Sequence, residues 1–352
     1  MKYIDIFYSV LIIILISLTW TDLHELYFNT IKLLMTPWII MIYLNDCLNT
    51  TKHKYIHISG IIIKNFPKIW FIKSCIVGDL SEVLIYGLYG TLISGFFLSV
   101  GLMVLYRGKP QIENLDKYYI FVFLSMVIPF TYQYIPYHKI KIILCLIISV
   151  VNIMYYIYCV YHYELEYDPY ESDYSLIPNS TEFQVDNNNK KFGFLLLLSL
   201  VMVVFLAIPT YFNGITEKLN DSVKDLFGIN DKISGLIFYG IILNMYDYML
   251  ILLYSDDSAP SDAKFINQLY KIITSHFQTL MLLIPVANIL TIIRDLDYVT
   301  IPFCVIFELI VSFVMSLIIL KRQENTNFHR GFLTILIFVC FKYLDYYVFN
   351  NH

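Results

Sequence analysis

Apolar stretches of about 20 residues recur along this chain, and their recurrence limits the fold more than any other feature. A helix needs about 20 mainly apolar residues to cross the roughly 30 Å hydrocarbon core of a bilayer. Runs that meet this criterion fall at 4–20, 30–48, 58–77, 81–106, 117–135 and 139–162, then at 192–213, 232–254, 267–292, 298–320 and 331–350. The third is the weakest, because Lys64, Pro67, Lys68 and Lys73 interrupt it. Composition agrees: charged residues are 15% of the 352, against about 25% in soluble domains. The expected fold is all-α and polytopic, with about 11 transmembrane helices and the lipid bilayer as its principal partner.

One long hydrophilic segment divides the spans. It holds Glu164, Glu166, Asp168, Glu171 and Asp173, followed by Asn187, Asn188 and Asn189. The expected organisation is a leading helix over 1–25, a five-helix repeat over 26–162, an acidic loop over 163–191 and a second five-helix repeat over 192–352. The first apolar run follows Lys2 but lacks a small-residue cleavage site near Trp20, so it is expected to remain as an anchor. Lysines and arginines concentrate on one set of loops, including Lys52, Lys54, Arg107, Lys109, Lys190 and Lys191. The positive-inside rule then predicts a cytosolic N-terminus and acidic loop, with a luminal C-terminus. Of three sequons, at Asn49, Asn179 and Asn220, only Asn220 falls on the predicted non-cytosolic side.

The motif content argues against an enzyme. HExxH, GxSxG and Walker-type patterns are absent. Six scattered cysteines form no CxxC pair, so neither a zinc site nor a disulfide framework is indicated. No cofactor and no nucleic-acid partner are expected.

Ionisable residues inside spans cost about 2.5–3.5 kcal/mol each on insertion scales, which makes each a candidate for function. Lys342 and Asp345 are spaced i,i+3 and are expected to pair. Glu308 has no evident partner, and Glu82 sits beside Asp79 at a span entrance, where headgroups can solvate it. Asn244 and Asp247 share one helix face. Ser275, His276 and Gln278 form a second polar cluster in an apolar run. Such hard oxygen donors suit Ca2+, Mn2+ or Na+; equally, they could be polar glue between helices.

Residues 228–248 read G-I-N-D-K-I-S-G-L-I-F-Y-G-I-I-L-N-M-Y-D-Y. This stretch resembles the second α-repeat of calcium/proton exchangers of the vacuolar type, in the calcium/cation antiporter superfamily. Their pattern is G-I-S-x-x-x-x-G-L-x-x-x-P-x-x-G-N-x-x-E-H. Asn244 falls on the motif asparagine and Asp247 on its glutamate, while Leu243, Gly240 and Tyr248 replace its glycine, proline and histidine. Residues 274–285 are similar to G-S-S-I-Q-x-x-L-F-x-x-P: Ser275, Gln278 and Pro285 match, and His276 replaces a serine. Residues 90–101 resemble G-S-I-L-S-N-L-L-L-V-L-G, with Ser94 retained and Gly95 standing for an asparagine. Segments 125–129 and 325–331 also match in order.

The resemblance implies two inverted repeats and a midplane site where carboxylates take Ca2+ and protons alternately. It therefore implies exchange of Ca2+ or another cation for protons across a vacuolar or other internal membrane. The metal-binding set would be Asn244, Asp247, Ser275 and Gln278, with Asn65, Lys68, Ser94 and His276 as further transport-site candidates. The first repeat departs from the pattern. Asn65 and Lys68 carry the asparagine/glutamate spacing, so a lysine stands where a carboxylate is expected, and no Asp or Glu occurs between Asp46 and Asp79. Lys68 would occupy the place of a bound cation. The alternative function is a non-transporting pseudo-exchanger that serves as a scaffold or regulator.

Overall fold

Every regular element among the described residues of the computed structural model is helical, as long apolar segments require when backbone polar groups must be satisfied without water. The described residues are 65–107, 138–159, 215–245, 247–248, 251, 272, 275–294, 296, 299–321 and 328–350. The expected spans at 4–20, 30–48, 117–135 and 192–213 lie outside them, as do the leading segment 1–25 and the acidic loop 163–191.

Helix α1 is Phe66–Val77, and Pro67 sits in its first turn, where no intrahelical N–H bond is lost. Helix α2 runs as Ser81–Ser94, widens into a π turn over Gly95–Ser99 and resumes as Val100–Arg107. Helix α3 is His138–Cys159 and α4 is Ile215–Phe227. Helix α5 begins as Asp231–Ile233, passes through a π turn over Ser234–Tyr239 and continues as Gly240–Ile242. In α6, residues 275–278 are helical, Thr279–Leu283 form a third π turn, and Ile284–Ile293 complete the element. Helices α7 and α8 are Phe303–Lys321 and Phe328–Asn350. By length and composition, Ser81–Leu105, Ser275–Ile293 and His329–Asn350 can each cross a membrane.

The described residues divide between two compact units. One holds 65–70, 154–159 and 215–219, and the other holds the rest. In the second unit α2 is the central element, buried along nearly all of Ser81–Ser94. It meets α5 backbone to backbone. A Cβ at Gly90 would lie 2.3 Å from the Leu236 carbonyl oxygen, and one at Gly240 would lie 2.7 Å from the Gly90 carbonyl carbon. Farther along, α2 meets α8 in the same way, since a Cβ at Gly331 would lie 2.7 Å from the Gly101 oxygen. Small residues permit such close approach, which is how helices gain packing energy in lipid, where apolar contact alone gives no advantage.

The outer helices show the opposite pattern. On α8, Phe332, Leu333, Leu336, Val339, Tyr343 and Leu344 are exposed, and α3 exposes Ile143, Ile147, Val151 and Met154. Rows of exposed large apolar side chains on long helices fit contact with lipid tails rather than water.

The N-terminus of α5 is capped by Asn230, whose side chain accepts from the Ile233 N–H at 3.0 Å. Asn220 donates to Asp231 at 2.6 Å and accepts from the Ser234 hydroxyl at 2.7 Å, and it is fully buried. The sequon at Asn220 is therefore not open to a glycan in this fold, because its amide nitrogen is buried and bonded to Asp231. Glu82 is half-exposed and lies 3.8 Å from Lys232, in keeping with a solvated position at a helix entrance.

Gly90→Ala is expected to destabilise the fold by about 1–3 kcal/mol or more, because the added methyl meets backbone that cannot rotate away. Thermal unfolding in detergent should show a clear drop in Tm, whereas Gly228→Ala, where a Cβ meets nothing within 4 Å but φ is +62°, should cost only about 1 kcal/mol from backbone strain.

Candidate cation-binding site

The close crossing of α2 and α5 places polar groups of both helices against one another in the protein interior. Ser94, the last residue before the π turn of α2, donates its hydroxyl to the Gly240 carbonyl at 2.6 Å. Asn244 lies one turn beyond Gly240. Its amide nitrogen donates to the Thr91 carbonyl and, at 3.1 Å, to the Ser94 oxygen. The other end of the same side chain is different. Asn244 Oδ1 is buried and accepts no hydrogen bond among the described residues. A buried carbonyl oxygen without a donor costs about 1–3 kcal/mol, so such an atom is a natural ligand for a cation.

Asp247 follows Asn244 by three residues, past the turn that ends α5, and is 6% exposed. Tyr248 is also buried, with its hydroxyl beside Ser94 and Asn244. The segment that follows α5 thus supplies a carboxyl group and a neutral amide oxygen three residues apart, and α2 fixes the orientation of the amide.

The second polar cluster joins this arrangement through α2. Ser275, His276 and Gln278 are all buried. The His276 ring packs onto Gly95: a Cβ there would lie 2.5 Å from its Cε1 and 2.6 Å from its Nδ1. His276 Nε2 is 3.4 Å from the Ser99 hydroxyl. Phe96, Phe277 and Phe313 meet edge to face around it. Ser316 on α7 donates to the Phe96 carbonyl at 2.9 Å, within the π turn of α2. Each of the three π turns adjoins or precedes these polar residues, and π bulges are common where a helix must present unusual backbone geometry at a functional site.

The structure therefore joins Ser94 to Asn244 directly and sets His276 against Gly95 and Ser99. Asp247, which lies beyond the end of α5, and Ser275 and Gln278 of α6 are also buried. Asn65 and Lys68 belong to the other compact unit, where both are buried, at 3% and 2% exposure. Sequence reasoning missed the carbonyls of Thr91 and Gly240, which any residue type could supply. It also read Gly95 only as a lost asparagine, although its lack of a side chain is what admits the imidazole. Among the described residues no group of three or more His, Cys, Asp or Glu side chains could hold a metal. A cation here would depend on Asp247 together with neutral oxygens, the donor chemistry of hard cations.

Solved structures share this fold. The chain superposes on YfkE, a Ca2+/H+ antiporter protein, with a TM-score of 0.68 at 14% identity, covering 96% of this chain and 99% of that one. It superposes on the H+/Ca2+ exchanger CAX with a TM-score of 0.63 at 12% identity, covering 99% and 92%. The chain has the fold of these antiporters. No protein-family model and no curated protein sequence matches it.

Gly95→Ala is expected to displace the His276 ring, because its methyl would occupy the imidazole's space, at a cost of about 1–3 kcal/mol. His276→Ser should leave room for that methyl, so the double variant should recover most of the stability lost by Gly95→Ala. A double-mutant cycle on thermal unfolding reads this coupling.

Proposed function

We propose that this protein is a secondary antiporter that exchanges a cation, Ca2+ in the first instance, for protons across an internal membrane. Asn244 Oδ1 carries the reading: a buried oxygen with no donor among the described residues, three residues from a buried carboxylate. The fold shared with the antiporter YfkE and the exchanger CAX supports it. Asp247 binds the cation as carboxylate and the proton as carboxylic acid, so the two substrates compete for one group. Asn244 contributes a neutral ligand that its bonds to Thr91 and Ser94 hold in place. Ser275 and Gln278 supply further oxygens from α6.

Charge explains why exchange follows. A carboxylate buried in the membrane interior is costly to keep charged, and either a cation or a proton bound at Asp247 relieves that cost. The carrier therefore changes its accessible side only when Asp247 holds one or the other, and an uncompensated return is suppressed. Tight Ca2+ binding uses six to eight oxygens, so one carboxylate with neutral donors fits a weakly held, readily released ion.

An acidic interior in proteoliposomes should drive uptake of radiolabelled Ca2+ by the wild type, and Asp247→Asn should abolish it. Asn244→Ala should reduce uptake at least tenfold, since loss of a positioned ligand costs about 1.4 kcal/mol or more. Uptake unaffected by Asp247→Asn would refute the site, and no cation driven by the pH gradient in the wild type would refute antiport.

A further inference from the structure

Away from the candidate cation site, a second set of ionisable groups lies buried between α7 and α8. Lys342 Nζ is 2.9 Å from Glu308 Oε2 and 2.6 Å from Asp345 Oδ2. Glu308, Lys342 and Asp345 are 3%, 6% and 2% exposed. Both helices pack on α2, whose Phe97 ring lies against Phe338 and Phe341 of α8. The ammonium lies 5.8 Å from the Phe338 ring centre.

The charges do not balance. Two carboxylates share one ammonium, so the fully ionised set carries one excess negative charge in a place where water is excluded. An uncompensated buried charge costs several kcal/mol, and the usual relief is protonation. Because the one ammonium bonds both Glu308 Oε2 and Asp345 Oδ2, the two carboxyl groups are held close together, which two anions do not favour and one shared proton does. The other titratable groups that face the cluster among the described residues are Cys304 at the start of α7 and Tyr86 of α2, with Glu82 farther out. All are neutral or negative, and the Tyr86 hydroxyl is already engaged as a donor to the Thr300 carbonyl at 3.3 Å. None of them supplies the missing positive charge.

We propose that Glu308 and Asp345 together hold one exchangeable proton, making this triad a proton-binding site separate from the candidate cation site. The proton comes from water at the nearby membrane face. It forms an O–H bond on one carboxyl oxygen and donates to the other carboxylate, while Lys342 remains an ammonium bonded to both. The cluster then changes between net neutral and net −1. Its depth suits exchange: Glu308 and Asp345 each lie five residues from a helix end, at Phe303 and Asn350, or about 7–8 Å along the axis. That end of α8 is tied to α5 by Asn230, which donates to the Phe349 carbonyl at 2.8 Å.

Infrared difference spectroscopy of the full chain in lipid, titrated through pH, tests this without any transport measurement. The wild type should show a protonated-carboxyl C=O band that disappears as pH rises. The isosteric variants Glu308→Gln and Asp345→Asn should each lose it, and Asp247→Asn should keep it. The proposal is overturned if neither Glu308→Gln nor Asp345→Asn removes a protonated-carboxyl band; a separate band lost only in Asp247→Asn is that of the candidate cation site. Failure of Ca2+ uptake in the wild type would bear on antiport alone and leave this band as its own readout.

Discussion

The contact on which the rest of this structure depends is the backbone-to-backbone crossing of α2 and α5. In a bilayer, apolar side chains gain little by leaving lipid for protein, so helices must win association energy from close packing and hydrogen bonds. Gly90 and Gly240 remove the side chains that would hold the helices apart, with 2.3–2.7 Å separating hypothetical methyl groups from the opposing backbone. At that distance short polar side chains can reach across. Ser94 binds the Gly240 carbonyl and Asn244 reaches Thr91. The site is thus a consequence of the crossing, and any residue larger than glycine at the contact would separate its two halves.

A second consequence follows for the aromatic floor of the site. Gly95 admits the His276 ring, and Phe96, Phe277 and Phe313 enclose it. The imidazole in that setting is both a hydrogen-bonding group for Ser99 and a packed ring. The glycine at 95 and the histidine at 276 are therefore one feature, a small residue and a large one exchanged across a helix interface. The ion triad on α7 and α8 obeys the same economy: Lys342 reaches between two helices to satisfy Glu308 as well as its own neighbour Asp345.

Several of these relations were legible in sequence and others were not, for physical reasons. The Lys342–Asp345 pair could be read because i,i+3 spacing puts both side chains on one helix face. Glu308 could not be assigned, because its partner lies 34 positions away and tertiary packing alone brings it near. The sequon at Asn220 was visible as a pattern, but the pattern carries no information on burial. The Asn244–Asp247 pair was visible by helical spacing, whereas the orphaned Oδ1 of Asn244 exists only because Thr91 and Ser94 have taken its amide nitrogen.

By itself the sequence determined that the chain is helical and membrane-spanning, since long apolar runs leave the backbone no other way to satisfy its polar groups. It also determined which polar residues would share a helix face. The tertiary structure alone decided which helices touch, which carbonyls are offered to the site, and which charges are paired. Those outcomes depend on distances between segments remote in sequence, and a glycine becomes a contact only when another backbone arrives against it.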